Sequence, residues 1–560
     1  MDLIGIGLIG PFVALIIDPE RFGRGRLENI ISSVGLSFPG DHFIKIVGIS
    51  LLTVFFIKMV VGIYVNKTIL GFSRKQENRL RSILMEAYQN LPFEAYLGRN
   101  SSQYVYSIIS LTSHFSSGVI VPALRTLSDG IVAIAILAML AWSNPIALAA
   151  LLFLLSSLIL SYDRIFRRKA KLSGIKSNEA AIRVVQGVTE AMSGFKEIRV
   201  FGVERYFREL VNRNSEKQSY YGLMKLFIGL LPRYLMEFTL VLFIISFVLV
   251  ALTFRDNLET LIPTLSMFGI AALRLVPAAN TFSKSLVELR VNRDSINRIY
   301  TDLKWVREDK VAKSAPMVAS ERLQKFCDLS LQGVFFRYSG ARVMALNGVS
   351  LKISSGEAIG FFGTSGSGKT TLIDIILGLL SPKDGEIRYN GLPLEETLEN
   401  WRGHVAYLPQ DICLLDDSLC HNVAFGQQGD KIDRKKVGIA IKQARLSTLV
   451  EEWPEGLDTR LGEHGVRLSG GQKQRVALAR AFYHDRDVLI LDEATSALDK
   501  ITESEIVDEI RRLKGQRTVI VIAHRLDTLK YCDRVYRLEN GCIVAEGEYD
   551  KLIRGKSGAN

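Results

Sequence analysis

Cysteine is scarce in this chain and is confined to its second half. The 560 residues contain five cysteines, and these are Cys327, Cys413, Cys420, Cys532 and Cys542. No two of them have the C-x-x-C spacing of a zinc or redox site, and their positions indicate no disulfide framework. We therefore interpret them as reduced thiols of a cytosolic domain. Internal repeats and low-complexity tracts are also lacking.

Acidic residues are outnumbered by basic ones, which gives the chain a formal net charge of +12. A strongly basic chain is often a nucleic-acid binder. Here, however, 48% of the residues are hydrophobic, and the apolar residues are concentrated in long runs in the first half. We therefore interpret the excess of Lys and Arg as the positive-inside pattern of a membrane protein, and we predict no nucleic-acid partner.

The apolar runs predict six membrane-spanning helices, counting an incomplete first one. An even number of spans would place the second half in the cytosol. The runs lie at residues 3–17, 43–65, 118–142, 146–162, 226–254 and 261–276. The first run is shorter than the roughly 20 residues that a span requires. It also begins almost at Met1, without the charged region of a signal peptide. We therefore expect that the first helix is truncated at its start.

Charged side chains inside the apolar runs are costly in a bilayer, so each of them requires an explanation. Arg125 with Asp129, and Arg233 with Glu237, are spaced i,i+4. This spacing predicts structural pairs on one face of a helix.

Lys58 and Arg274 also lie inside apolar runs but have no such local partner. One interpretation is that their side chains extend to the inner membrane interface. The other is that they line a central cavity and attract an anionic headgroup, such as a phosphate or a pyrophosphate. The sequence leaves both interpretations open.

A glycine-rich stretch in the second half predicts a nucleotide-binding loop. The run Gly363-Thr364-Ser365-Gly366-Ser367-Gly368-Lys369-Thr370 fits the pattern G-x-x-x-x-G-K-[ST], and Thr371 follows it. The loop lies between a predicted buried strand and an amphipathic helix, so that the phosphates of a nucleotide would lie at the helix N-terminus. Lys369 is expected to bridge the outer phosphates, and the Thr370 hydroxyl to bind Mg²⁺.

A later apolar run ends in two carboxylates, Asp492 and Glu493. Paired acids at a strand end are often no more than solvated surface residues. Beside a phosphate loop, Asp492 is instead expected to join the Mg²⁺ coordination shell, and Glu493 to polarise the attacking water.

Together these motifs resemble those of the ATP-binding cassette proteins, and the resemblance covers residues 326–560. It implies further site residues, namely the signature Leu468-Ser469-Gly470-Gly471-Gln472, the Mg²⁺-sensing Gln410, Asp499 in the loop between partner cassettes, His524 at the γ-phosphate, and Tyr338 stacked on adenine. The catalytic set is then Glu493, His524, Gln410 and Lys369, and the Mg²⁺ ligands are Thr370, Gln410 and Asp492.

The same resemblance implies an architecture of two parts. An all-α transmembrane domain of six helices at 1–301 is joined by a linker at 302–325 to an α/β P-loop NTPase cassette at 326–560. In this family the signature closes over ATP held by another cassette, which implies a homodimer with two competent sites. Short coupling helices are expected near residues 101–107 and 202–207, at the tips of cytosolic extensions of the spans.

The membrane half resembles the bacterial flippases of lipid-linked oligosaccharides. The resemblance is carried by Ile270-Ala271-Ala272-Leu273-Arg274-Leu275-Val276-Pro277-Ala278-Ala279-Asn280 and by the basic residue Lys58. It implies an ATP-driven exporter of the bacterial inner membrane with its cassette in the cytosol. The expected cargo is amphipathic or lipid-linked, with Lys58 and Arg274 as candidate contacts. The alternatives are an exporter of drugs, simple lipids or peptides and, more remotely, a soluble cassette ATPase.

Overall fold

The structure is a computed structural model that describes residues 40–143, 145–254, 261–313, 325–492, 508, 511–523 and 526–553. The described residues form two compact units. The first unit contains the described parts of Met1–Leu91 and Arg99–Ala312, and the second contains those of Pro92–Gly98 and Lys313–Asn560. The predicted first span, at residues 3–17, lies outside the described residues.

The first unit is built from α-helices. They are α1 (Gly40–Gln89), α3 (Ser101–Tyr106), α4 (Thr112–Phe115), α5 (Val121–Ser143), α6 (Pro145–Ser193), α7 (Phe195–Phe201), α8 (Glu204–Phe254), α9 (Leu261–Val291) and α10 (Arg293–Lys313), while α2 (Phe93–Leu97) belongs to the second unit. Two π-helical segments, Ser107–Leu111 and Ser116–Ile120, separate α3, α4 and α5.

Four helical stretches in the described residues are long and apolar enough to cross a membrane. They are Gly48–Gln89, Ser101–Trp142, Leu148–Ser193 and Glu204–Ser246. Each contains 42 to 46 residues, which is about twice the roughly 20 residues that cross a bilayer. Each helix can therefore span the membrane and still continue well beyond it. The prediction of helical spans at 43–65, 118–142, 146–162 and 226–254 is confirmed, and residues 261–276 are helical in α9.

Glycine allows close approach between helices of the first unit. A Cβ atom added at Gly174 of α6 would lie 2.1 Å from the carbonyl oxygen of Val291 in α9. One added at Gly118 would lie 2.2 Å from the amide nitrogen of Asn292. Membrane helices commonly pack through small residues of this kind, because no side chain then separates the backbones.

One of the two predicted ion pairs is present. The Arg233 guanidinium lies 2.9 Å from the Glu237 carboxylate on the same helix. Arg125 and Asp129 are both described, and no ion pair joins them in that part of the structure. The i,i+4 spacing permits a pair without requiring one, because it brings the two side chains to one helix face but does not fix their conformations.

The second unit is an α/β fold. Its strands are β1 (Asp328–Phe336), β2 (Leu346–Ser354), β3 (Ala358–Phe362), β4 (Asp384–Tyr389), β5 (Leu392–Pro393), β6 (Val405–Leu408), β7 (Val488–Asp492), β8 (Thr518–Ile522), β9 (Arg534–Glu539) and β10 (Cys542–Gly547). Besides α2, its helices are α11 (Lys369–Ile376), α12 (Leu394–His404), α13 (Leu419–Val423), α14 (Arg434–Gln443), α15 (Ser447–Glu452), α16 (Gly470–Tyr483) and α17 (Tyr549–Ile553).

The strands form two sheets, and the larger one positions the predicted site. Its order is β10-β9-β3-β8-β7-β6, with every pair parallel except β10 with β9. Strands β7 and β8 are buried along their whole length, as expected for parallel strands covered on both faces. The smaller, antiparallel sheet has the order β2-β1-β4-β5.

Strand register brings the two halves of the predicted nucleotide site to one edge of the sheet. Phe361 of β3 and Asp492 of β7 both pair with Ile522 of β8, which lies between them. Neighbouring strands are about 4.8 Å apart, so the ends of β3 and β7 are separated by about 10 Å. The phosphate loop that follows β3 therefore begins within reach of Asp492.

The short helix α2 contacts residues of the cassette. Phe93 packs against its main hydrophobic core, and Glu94 Oε1 accepts a hydrogen bond of 2.9 Å from the Ser339 N–H. Lys383 Nζ lies 3.4 Å from the other Glu94 oxygen. The sequence predicted a coupling helix near residues 101–107, and this stretch contains α3 (Ser101–Tyr106); its coupling role stays a prediction. The second predicted coupling helix, near residues 202–207, falls at the start of α8 directly after α7, and its role also stays a prediction.

We expect Gly174→Ala to lower the apparent Tm of the purified protein in detergent. The added methyl group would overlap the Val291 carbonyl, and overpacking of this kind costs about 1–3 kcal/mol. Gly71→Ala is the matched control, because a Cβ at Gly71 meets nothing within 4 Å. An unchanged Tm for Gly174→Ala would contradict the close approach of α6 and α9.

Candidate nucleotide-binding site

The phosphate loop connects β3 to α11, and glycine shapes both of its ends. A Cβ atom at Gly363 would lie 2.2 Å from the Leu538 carbonyl oxygen, and one at Gly368 would lie 2.6 Å from that of Ala345. Gly368 also has a φ of 102°, which residues with a Cβ rarely adopt. The loop is therefore packed against the neighbouring backbone so closely that only glycine fits at these two positions.

Inside the loop, Lys369 and Ser367 carry the polar groups suited to phosphate. Lys369 is 5% exposed, and its ammonium donates to the carbonyl oxygens of Gly363 and Thr364, both at 3.0 Å. The Ser367 hydroxyl is buried and has no hydrogen-bond partner among the described residues. A buried hydroxyl without a partner is costly. A phosphate oxygen would supply the missing acceptor, so the loop fits a nucleotide phosphate.

Two buried carboxylates lie at the other side of the site. Asp492, at the end of β7, accepts a hydrogen bond of 2.8 Å from the Tyr407 hydroxyl. Asp374 of α11 is also buried, and burial together with the nearby charge of Asp492 raises the pKa of Asp374 to about 6. Burial, and then the Asp492 charge, also raises the pKa of Tyr407. Neighbouring carboxylates in a dry site favour a divalent cation, so these residues fit Mg²⁺.

The other predicted Mg²⁺ ligands are on the surface of the cassette. Thr370, in the first turn of α11, and Gln410, just after β6, are both exposed. Exposed hydroxyl and amide oxygens can reach a bound ion without first breaking contacts in the core. The assignment of Thr370, Gln410 and Asp492 to Mg²⁺ stays a prediction.

Tyr338 lies beside the first turn of α11. Its hydroxyl oxygen is 3.2 Å from that of Thr371, and its ring meets Phe336 edge-on with centroids 5.0 Å apart. This position at the border of the phosphate loop is compatible with stacking on adenine, which stays a prediction.

The signature forms the N-terminus of α16. Ser469 caps the helix, since its hydroxyl accepts from the Gln472 N–H at 3.3 Å while Gln472 Oε1 accepts from the Ser469 N–H at 2.8 Å. Ser469 and Gly470 are exposed. A capped and accessible helix N-terminus can bind an anion, because its backbone N–H groups carry partial positive charge.

Four of the predicted site residues lie wholly or partly outside the part of the chain that the structure describes. Glu493, Asp499 and His524 lie outside the described residues, as does the side chain of Arg274. Glu493 directly follows Asp492 and therefore the end of β7.

The sequence did not identify Asp374 and Tyr407 as site residues. In the sequence, Asp374 is only a polar position in an amphipathic helix. Its burial next to Asp492 depends on how α11 packs on the sheet. Tyr407 lies next to Leu408, Pro409 and Gln410, so its proximity to a predicted site residue was visible, but its bond to Asp492 was not.

Lys58 faces a cavity of about 540 Å³ along α1. Its ammonium lies 5.3 Å from the centroid of the Phe55 ring, a cation–π distance. The cavity is lined by Phe55, Lys58, Met59, Gly62, Ile63 and Asn66. Lys58 therefore borders open space on a predicted membrane helix.

A second cavity of the first unit, of about 470 Å³, is lined entirely by cations. They are Arg167, Arg168 and Lys171 of α6, Arg290 of α9 and Arg293 of α10. We call this group the basic pocket. Asp163 pairs with Arg290. The sequence explained the cations of α6 as positive-inside residues, but it could not show that two other helices bring further cations to them.

Comparisons with known proteins agree with this arrangement. Residues 346–496 match a family model described as ABC transporter. The chain is 32% identical over 447 residues to the ATP-dependent lipid A-core flippase of Cupriavidus metallidurans, covering 79% of this chain and 73% of that protein. It is 28% identical over 561 residues to the protein of the same name from Saccharophagus degradans, covering 99% and 93%.

The fold is similar to that of a solved structure, a bacterial Atm1-family ABC exporter with ATP bound. The TM-score is 0.78 at 20% identity, and the match covers 99% of this chain and 96% of the other. At this identity the likeness shows the fold alone.

We expect Lys369→Ala to abolish ATP hydrolysis by the purified protein, because it removes the buried ammonium from the phosphate loop. Lys352→Ala is the control, since Lys352 forms an exposed pair with Asp328 in the same unit. Binding of a fluorescent ATP analogue, measured alongside turnover, separates lost binding from lost hydrolysis. Hydrolysis at the control rate would contradict the assignment of Lys369.

Proposed function

This chain belongs to the ABC transporter family, and we propose that it is a half-transporter whose two copies together export an amphipathic lipid. It hydrolyses ATP and couples hydrolysis to transport. The observation that carries the proposal is that one chain contains both a phosphate loop set for nucleotide and helices long enough to cross a membrane. Moving a polar headgroup through hydrocarbon requires such an energy source.

We propose the following division of labour in the cassette, residues 326–560. Lys369 and the loop backbone bind and orient the phosphates, while Thr370, Gln410 and Asp492 would hold Mg²⁺. The ion would neutralise charge that develops on the transferred phosphoryl group. Glu493 accepts a proton from the attacking water, and His524 positions the γ-phosphate.

Two exposed surfaces support the proposal that two copies of the chain act together. One is the signature at Ser469 and Gly470, an anion-binding helix end that is open to solvent. The other is the apolar tip formed by α7, where Phe195, Val200 and Phe201 are 63%, 75% and 77% exposed. Exposed aromatic patches mark interaction sites. We propose that the signature covers ATP held by the other copy, and that the tip contacts the other cassette.

Glu493→Gln is expected to bind ATP normally and to hydrolyse it at least a hundredfold more slowly, because an amide cannot accept the proton of the attacking water (general-base contributions are about 10²–10⁴-fold). The variant should therefore accumulate as an ATP-bound dimer in size-exclusion chromatography. Wild-type protein with and without ATP is the reference. Normal turnover, or a monomer under all conditions, would contradict the role of Glu493 or the dimer.

The cargo that we propose is a lipid with a large anionic headgroup. The residues around Arg274 suggest a lipid-linked oligosaccharide, and the curated relatives are named for lipid A-core. Both are glycolipids, and the basic pocket supports an anionic headgroup. Among the described residues, Arg167, Arg168, Lys171 and Arg293 have no ion pair, so only Arg290 is balanced by an acid.

The depth of the basic pocket also agrees with a lipid headgroup. Arg167 comes five residues after Tyr162, where the predicted span ends. At about 1.5 Å per residue this places Arg167 roughly 8 Å beyond the hydrocarbon. Headgroups extend about 5–8 Å beyond each hydrocarbon surface. We propose that the inner leaflet of the bacterial plasma membrane lies at this level and that the cassette is in the cytosol.

The cargo can be tested by measuring the ATPase activity of the protein in liposomes with different lipids. We expect stimulation by a pyrophosphate-linked oligosaccharide lipid or by lipid A-core, and little effect of a neutral lipid. Arg168→Gln with Arg293→Gln should raise the half-stimulating concentration severalfold, because two cations leave the basic pocket. Arg205→Gln is the control, since Arg205 forms an exposed pair with Glu209 on α8. Stimulation by a hydrophobic drug alone would favour a multidrug exporter instead.

A further inference from the structure

A buried carboxylate, Asp302, joins three separate parts of the first unit. Its Oδ2 accepts a hydrogen bond of 2.5 Å from the Tyr88 hydroxyl, and its Oδ1 accepts one of 2.7 Å from Arg99. Asp302 is 5% exposed, whereas the Arg99 side chain is 39% exposed. We call these three residues the clasp. Charge-assisted bonds of this kind are short and directional, so they hold their partners in one geometry.

The clasp is placed where the chain passes from one unit to the other. These passages follow Leu91, Gly98 and Ala312. Tyr88 lies just before the first passage, Arg99 immediately after the second, and Asp302 ten residues before the third, within α10. One side chain of the clasp is therefore close in sequence to each passage.

The surroundings of the clasp restrict its movement further. The rings of Tyr88 and Tyr104 meet edge-on with centroids 4.8 Å apart, and Tyr104 is buried. Leu84 and Ala87, one turn or less before Tyr88 on α1, are buried as well. A carboxylate bonded on both oxygens and packed between aromatic and aliphatic groups links α1, Arg99 and α10 as one rigid group.

The segment between Tyr88 and Arg99 contains α2, which is bound to cassette residues. Glu94 of α2 bonds to Ser339 and Lys383, and Phe93 packs against the cassette core. Any displacement of α2 with the cassette must therefore reach the first unit through residues adjacent to Tyr88 and Arg99. Without the clasp, α1 and α10 could respond to that displacement separately.

We propose that the clasp of Tyr88, Arg99 and Asp302 transmits nucleotide-driven movement of the cassette to the membrane helices. This inference rests on the proposed transport cycle and adds positioning residues to it. The clasp makes the end of α1 and α10 move together. Breaking it leaves the ATP site intact but disconnects that site from the membrane helices.

The test compares hydrogen–deuterium exchange without nucleotide and after trapping with ATP and vanadate, for the full chain in nanodiscs. In wild-type protein, peptides of both units are expected to change their exchange on trapping. In Tyr88→Phe and Arg99→Gln, the change in cassette peptides should persist, while the change in α1 and α10 peptides should be at least halved. ATP hydrolysis without cargo should stay within about twofold of wild type, because none of the three clasp residues belongs to the proposed nucleotide site.

Tyr162→Phe is the matched control, because the buried Tyr162 hydroxyl donates to the Ile228 carbonyl in the same unit, away from the passages. Asp302→Asn is a further variant, and Asp302→Glu should partly restore the response because it keeps the charge. A wild-type response of the membrane helices in Tyr88→Phe and Arg99→Gln would overturn the proposal. So would an equal loss in both units, which indicates a general folding defect. The readout needs no cargo, so an error in the proposed lipid would appear in the liposome assay and not here.

Discussion

The close approach of the phosphate loop to its neighbouring strands is the constraint on which the cassette depends. Side chains are excluded at Gly363 and Gly368 because the carbonyl oxygens of Leu538 and Ala345 occupy the space. The loop can hold this position only because β3 lies in the middle of the sheet, with β9 on one side and β8 on the other. The same sheet delivers Asp492 at the end of β7. A nucleotide site at this edge thus follows from strand order and register, as is general for open parallel sheets.

A different constraint shapes the first unit. Four of its described helical stretches are about twice as long as a bilayer requires, so each of the four contains an apolar part and a polar extension. The extensions end at the short helices α2 and α7, and the two tips differ. Helix α2 is bound within the cassette unit through Phe93 and Glu94, whereas α7 exposes apolar side chains. Helix α2 therefore has its contacts within the same chain, whereas α7 presents an exposed apolar surface that could contact another protein chain.

Charged side chains have different environments in the basic pocket and in the clasp. In the basic pocket, cations from three helices converge with one paired acid, and the uncompensated charge favours an anionic ligand. In the clasp, a buried carboxylate has both of its oxygens bonded, and breaking one bond leaves a costly charge without its partner. The first arrangement is suited to binding, and the second to holding a fixed geometry.

The sequence alone predicted the phosphate loop, Asp492, the signature and the helical spans, because each depends on residues that are contiguous or regularly spaced. A run of glycines before Lys369, or an apolar stretch of bilayer length, has its physical meaning without knowledge of distant residues. Tertiary structure decided the rest. The burial of Asp374 beside Asp492, the bond from Tyr407, the position of α2, the basic pocket and the clasp all join residues far apart in the chain. Tyr88 and Asp302, for example, are separated by 214 positions, and no local pattern predicts that such side chains meet. Contacts of this kind depend on how whole helices and strands pack, and that packing is set by the summed burial of many side chains.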